Sequence, residues 1–192
     1  MELTTLLSEI RGCTICKDSL PLGPHPVLKA HKKAKILIAG QAPGTKVHAS
    51  GIPWDDASGK RLRQWMDISE AVFYDEERVA IVPMGFCYPG KGTSGDLPPR
   101  PECAQNWHHR LLPLLPNVRL TLLIGRYAQN YYLGNMAYKT LTDCVKDYEA
   151  CLKRGYLPLP HPSPRNIFWL KKNSWMEEEL IPILQAYIKE LL

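Results

Sequence analysis

Apolar positions along the chain fall into two kinds of run. Four are short and continuous: Ile36–Ala39, Val79–Val82, Leu120–Ile124 and Tyr156–Leu159, bounded by charged residues, glycine or proline. Runs of this length without polar alternation predict strands covered on both faces, as in a parallel sheet. Elsewhere the spacing is helical. Leu3, Leu6, Leu7 and Ile10 share one face of a helix ended by Gly12, and Leu62, Trp65 and Met66 share another behind a cap at Ser58. Trp107, Leu111 and Leu112 mark a third helix, and a looser helical stretch runs from Tyr127 towards Lys153. A capping box at Ser174 and Glu177 introduces a closing helix with Leu180, Ile181, Leu184, Ile188 and Leu191 on its buried stripe. Strands alternating with helices predict an α/β fold, a three-layer α/β/α sandwich around a central four-stranded parallel sheet joined by right-handed crossovers. With 192 residues, 45% of them hydrophobic, and no shift in composition, the chain reads as a single domain, 1–192.

Ligands of such sheets sit beyond the carboxyl ends of the strands. Three loops converge there: Gly40-Gln-Ala-Pro-Gly44 after the first strand, Pro83-Met-Gly-Phe86 after the second, and His161-Pro-Ser-Pro-Arg-Asn166 after the fourth. Gly40 and Gly44 permit close approach of backbone to a ligand, and Pro43 stiffens the turn between them. The pattern is neither G-x-G-x-x-G nor a P-loop, so the common nucleotide-binding readings fail.

Charge and cysteine content refine this picture. A net charge of +5 is compatible with a polyanionic partner. No long uncharged apolar stretch or basic-then-apolar leader occurs, which predicts a soluble, cytoplasmic protein with no membrane partner. Structural disulfides rarely persist in that compartment, so the six cysteines point to metal or to buried thiols. Cys13-Thr-Ile-Cys16 is a C-x-x-C knuckle, and Cys87 and Cys103 bracket a Pro/Gly-rich segment with too few apolar residues to fold on its own. A metal held by these four would anchor both ends of that segment; by ligand type, zinc and an iron-sulfur cluster are equally suited. Cys144 and Cys151, in the helical stretch, read as buried thiols.

Together these motifs resemble the uracil-DNA glycosylase superfamily, most closely its iron-sulfur family 4 branch. That branch has a C-x-x-C before the first strand, a Gly-Glu-Ala-Pro-Gly turn after it, two cysteines around a Pro-rich loop, a Gly-Arg like Gly125-Arg126 after the third strand and a His-Pro motif after the fourth. The resemblance implies that Cys13, Cys16, Cys87 and Cys103 hold a 4Fe-4S cluster, zinc being the alternative. It further implies a DNA repair enzyme, a DNA glycosylase that hydrolyses the N-glycosidic bond of uracil or another deaminated base. The partner would be DNA containing a damaged base, flipped into the cleft of a monomeric protein.

The departures are informative. Gln41 stands where family 4 has Glu, and Ala42 stands where the main uracil-DNA glycosylases place their water-positioning Asp. The second motif is similar to that of the single-strand-selective monofunctional uracil glycosylases, and the uracil-reading Asn falls on Pro83. On this basis His161 stabilises the oxyanion of the leaving base together with the turn at Gln41. Trp54 stacks on the flipped base, Arg165 is the wedge, and Ser163 bonds a phosphate. Gly40, Ala42, Met84 and Asn166 complete the substrate contacts. Asp55 or Asp56 holds the water. Lys46, Lys60, Arg61, Arg63 and Lys91 are candidate phosphate contacts. No lysine lies in either motif, so a monofunctional mechanism is expected. Two other functions fit the same residues: a catalytically impaired iron-sulfur DNA-binding protein, suggested by Ala42 and Pro83, and a zinc-stabilised α/β hydrolase of a small molecule.

Overall fold

The computed structural model describes residues 2–93, 95–134 and 138–192. The first half of the chain contains α1 (Leu3–Arg11), β1 (Ile36–Ala39), α2 (Thr45–Ser50), α3 (Ala57–Met66), α4 (Glu70–Tyr74) and β2 (Val79–Ile81). A two-stranded hairpin follows, β3 (Lys91–Gly92) with β4 (Gly95–Asp96), then α5 (Pro101–Cys103) and α6 (His109–Leu111) with a π-helical turn, Ala104–His108, between them. Next come β5 (Leu120–Ile124), α7 (Arg126–Leu133), α8 (Leu141–Lys146), α9 (Tyr148–Leu152), β6 (Tyr156–Leu159), α10 (Ile167–Lys172) and α11 (Ile181–Leu191).

The four apolar runs pair as one all-parallel sheet in the order β2-β1-β5-β6, with Ile36 level with both Val79 and Leu120, and Thr121 level with Tyr156. Alternate residues of β1 enter opposite cores. Ile36 and Ile38 pack with Leu62, Met66, Leu184 and Ile188, whereas Leu37 packs with Leu6, Ile10, Trp107 and Leu111. Helices therefore cover both faces, which is why the strands read as unbroken apolar runs, and the expected three-layer sandwich is what forms. The outer edge of β2 is closed by Lys29, whose N–H and carbonyl exchange hydrogen bonds with Ile81 at 2.9 and 2.7 Å.

Two expected caps form differently. Asp56, two residues before Ser58, is the N-cap of α3 and accepts from Gly59 N at 2.8 Å, while Ser58 is buried inside the helix. Glu177 does not reach back to Ser174: its Oε1 accepts from the indole N–H of Trp65 at 3.2 Å, and the chain enters α11 through a π turn, Met176–Leu180. The capping box lies instead at Thr140 and Asp143, where it starts α8 and divides the loose helical stretch of the sequence. The part of that stretch at 135–137 lies outside the described residues.

Candidate functional site: a cavity at the strand ends

The turn after β1 is fastened to the chain leaving β2. Met84 N donates to Gly40 O and Gly85 N to Gln41 O, both at 2.9 Å, prolonging the β1–β2 pairing past the strand ends. The side chain of Gln41 reaches further, its Nε2 donating to Leu97 O at 3.0 Å just beyond the hairpin. These bonds hold the turn over a small cavity that opens to solvent at the strand ends. Its lining brings together the whole turn Gly40–Gly44 with Trp54, Asp56, Pro83 and His161, and Val27, Val47, Pro53 and Ile81 supply the apolar remainder.

Trp54 is placed by an unusual local backbone. Its φ is 60°, left-handed for a non-glycine residue, and Gly59 lies so close that a Cβ there would fall 1.8 Å from the Trp54 carbonyl oxygen. Only glycine at 59 allows α3 to start this near, and the Asp56 cap fixes the same spot. The indole then lies between Gly40, where an added Cβ would meet it at 3.0 Å, and His161, on whose ring it stacks at 5.4 Å and 28°. The indole surface expected to receive a base is thus partly taken by the imidazole.

His161 is set by its own loop. Asn166 Nδ2 donates to the His161 carbonyl at 2.8 Å, and the Ser163 hydroxyl accepts from Arg165 N at 3.2 Å, so both side chains stiffen the turn from within. Burial lowers the pKa of His161, against the opposing pull of the Asp56 and Asp96 carboxylates. At neutral pH the ring is uncharged and can offer one N–H. Arg165 lies against Gly95, where a Cβ would collide with its guanidinium, so the loop and the hairpin touch.

The other candidates are distributed unevenly. Asp56 lines the cavity; Asp55 is exposed and its charge acts on Tyr74, away from the cavity. Met84 turns its side chain into the core beside Ala39, Leu123 and Ala128, contributing its backbone N–H instead. Lys46, Lys60 and Lys91 are exposed, whereas Arg63 lies across Phe73 and Tyr74 and pairs with Glu70 at 3.5 Å. Arg61 is half-buried, with Nη1 shielded from solvent.

A second, much smaller cavity is lined by Cys13, Cys16, Cys87 and Cys103 with Leu20, Pro26, Phe86 and Arg100. Burial raises the pKa of Cys16 and Cys87 and pushes Cys103 up to about 12. Among the described residues no three His, Cys, Asp or Glu side chains are arranged to hold a single metal ion. Cys144 and Cys151 are buried apart from this corner, with the Cys151 thiol 3.6 Å from the Tyr138 hydroxyl.

The uracil DNA glycosylase superfamily, compared as a family model, matches residues 28–185, most of the chain and all of the sheet. The chain belongs to this superfamily. A relative, the type-4 uracil-DNA glycosylase of Sulfurisphaera tokodaii, is 25% identical over 141 residues; the match covers 70% of this chain and 60% of the relative. Ala42 and Pro83 both line the cavity: Ala42 presents a methyl group, and Pro83 has neither a side-chain amide nor a backbone N–H to offer.

Three residues outside the cavity lining escape sequence reasoning. His108, fully buried between Phe86 and Tyr131, holds the Pro83 carbonyl at 3.1 Å from Nε2, which fixes the tautomer with hydrogen on that nitrogen. Asp96 sits in the Pro-rich segment beside Gly44 of the turn. Phe168 is 81% exposed three residues beyond Arg165. The exposed aromatic had a visible signal, since it follows the second motif at once; the other two are positioned by tertiary contacts alone.

Proposed function

We propose that this protein is a monofunctional DNA glycosylase that hydrolyses the bond between deoxyribose and uracil, or another deaminated base, flipped out of DNA into the cavity at the strand ends. The observation that carries the reading is the convergence of the Gly40–Gly44 turn, Trp54, Asp56 and His161 on one cavity in a chain of this superfamily. As the bond to C1′ breaks, the base gains negative charge and the sugar positive charge. A neutral His161 donates to an oxygen of the departing base, where a charged imidazolium would instead bind any anion, including the phosphate backbone. Trp54 fixes the plane of that donor, and Asp56, anchored through Gly59 N, presents negative charge on the wall towards the sugar. No lysine lines the cavity among the described residues, so the chemistry offered is hydrolysis by water without an imine intermediate. With Pro83 in place of a base-reading amide, selection by shape and by backbone groups admits deaminated bases other than uracil.

The gap left in the duplex would be filled from the loop after β6. Arg165 is one wedge, and the exposed ring of Phe168 beyond it, with Lys171 and Lys172 following, is a second that can stack on bases. Lys46, Lys60 and Lys91 supply phosphate contacts.

The cysteine corner fits a 4Fe-4S cluster. Four thiols lining one largely apolar cavity, with no imidazole or carboxylate among the lining, are a ligand set of the kind that holds such a cluster through one sulfur on each iron, zinc being the alternative. Cys13, Cys16, Cys87 and Cys103 would hold the cluster, with the Arg100 guanidinium, itself paired with Glu102, beside Cys16. Bound there, the cluster supplies a fixed anchor for the chain on either side of the hairpin. The reading takes the chain as one domain acting as a monomer in the cytoplasm; among the described residues no helix is long and apolar enough to cross a membrane.

The test is a panel of oligonucleotides carrying uracil, hypoxanthine or xanthine, single-stranded and in duplex, scored for alkali-labile abasic sites. Release of at least one of these bases is expected. Tight DNA binding with no release of any of them would replace this reading by that of a catalytically silent DNA-binding protein, the outcome that Ala42 and Pro83 favour.

A further inference from the structure

Three successive residues at the end of the hairpin β3–β4 and just beyond it touch the loops around the cavity. Gly95 receives the guanidinium of Arg165, Asp96 places Oδ2 3.5 Å from where a Cβ on Gly44 would sit, and Leu97 O accepts from Gln41 Nε2 at 3.0 Å. Gly44 lines the cavity and Asp96 does not, so the carboxylate stands just outside the lining, beside the turn. It is not committed to the adjacent helix, because α2 starts at Gly44 without a side-chain cap, while Asp56 on the wall has Oδ1 fixed by Gly59 N. Its negative charge also reaches His161, opposing the effect of burial on that ring.

This placement matters because of the direction of attack. A flipped base enters deepest, towards His161 and Trp54, leaving its sugar at the rim. Water must reach C1′ from the side away from the departing base, hence from the rim, where Ala42 offers no polar group. We infer that Asp96 is a further catalytic residue, the carboxylate that binds the attacking water at the mouth of the cavity and takes its proton, with Asp56 serving as a fixed charge beside the sugar.

In this step the water oxygen forms a bond to C1′ and the bond from C1′ to the base nitrogen breaks, its electron pair leaving with the base. One water proton passes to Asp96 and on to solvent. The base anion, bonded by His161, takes a proton from solvent on release. Nothing is oxidised or reduced.

The inference rests on the glycosylase reading, and the experiment separates the two. Single-turnover excision is measured on whichever oligonucleotide the wild-type protein cleaves, for Asp96→Asn, Asp96→Glu and Asp56→Asn, alongside oligonucleotide affinity and thermal unfolding. Asp96 is exposed, so its variants should keep the wild-type unfolding midpoint. Asp96→Asn is expected to slow excision by about a hundredfold or more with affinity within about twofold, Asp96→Glu to retain part of the rate, and Asp56→Asn to lose less than Asp96→Asn. Excision by Asp96→Asn within about threefold of wild type, or a loss matched by lost binding or stability, overturns the role of Asp96 while the glycosylase reading stands. Failure of the wild-type protein to release any base sinks that reading, and this inference with it.

Discussion

The cavity and the cysteine corner are both assembled from residues far apart in the chain, and they are held by different forces. The cavity carries its own fastenings: Met84 and Gly85 bonded to the turn, Gln41 bonded to Leu97, Asp56 capping α3, and Trp54 stacked on His161. The corner has four thiols around an apolar space, three of them with pKa values raised by burial. Burial there disfavours the thiolates, and on the proposed reading a bound cluster supplies the attraction that offsets it. One region is fastened by hydrogen bonds and ring stacking and the other, as proposed, by a bound cluster, and the segment that runs from Cys87 to Cys103 reaches the cavity side through Asp96 and Leu97.

The largest expected effect comes from removing that ligand. Cys87→Ser or Cys103→Ser should abolish iron and sulfide binding, expose the hairpin to proteolysis and lower excision by about a thousandfold, while far-ultraviolet circular dichroism keeps the signature of the sheet and helices. Cys144→Ser, in the core beside Ala39 and Leu123, should leave metal content unchanged. If the Cys87 and Cys103 variants keep both the metal and the activity, the distinction between the two regions disappears.

Two perturbations on the cavity side are smaller. Gly59→Ala drives a methyl group into the Trp54 carbonyl and must displace the indole or the start of α3, at a cost to unfolding free energy of about 3 kcal/mol, measured by denaturant titration. His108 lies between the two regions, stacked on Phe86 next to Cys87 and bonded to Pro83 of the cavity lining. Burial lowers its pKa from 6.5 to about 4. Between those values the unfolded chain binds a proton that the native state refuses, so stability falls as pH drops from 6.5 towards 4, by roughly 3 kcal/mol in all. His108→Gln, which keeps a donor but cannot be protonated, should flatten the acid limb of the stability profile; an unchanged limb would show that another group governs it.

The smallest effect concerns the outer surface. Phe168→Ala should lower excision from duplex DNA by about tenfold, leave single-stranded substrates nearly unaffected and change stability by less than about 0.5 kcal/mol. Equal losses on both substrates would mean that Phe168 does not fill the gap left by the flipped base.

Much of the fold was legible because its causes are local. Strands buried on both faces read as continuous apolar runs, and all four formed the sheet at nearly the expected positions, β2 ending one residue earlier at Ile81. The caps were less legible, since Ser58 and Asp56 are equally good capping types and the choice was made by the close approach of Gly59 to Trp54. The three loops of the site met as expected, because strand carboxyl ends in a parallel sheet share one side. The stack of Trp54 on His161, the grip of His108 on Pro83 and the approach of Asp96 to Gly44 depend on tertiary distances that leave no periodic mark in the sequence. For the same reason Asp55 and Asp56, adjacent and chemically identical, could not be told apart until the backbone placed only Asp56 on the cavity wall.

The most direct test of the account is single-turnover excision by His161→Ala on a substrate that the wild-type protein cleaves. Removing the neutral donor proposed to face the departing base should raise the barrier by about 2.7 to 4 kcal/mol, slowing release roughly a hundred- to a thousandfold with DNA affinity unchanged. Excision at close to the wild-type rate would contradict the account, because the cavity beneath Trp54 would then not be where the bond is broken.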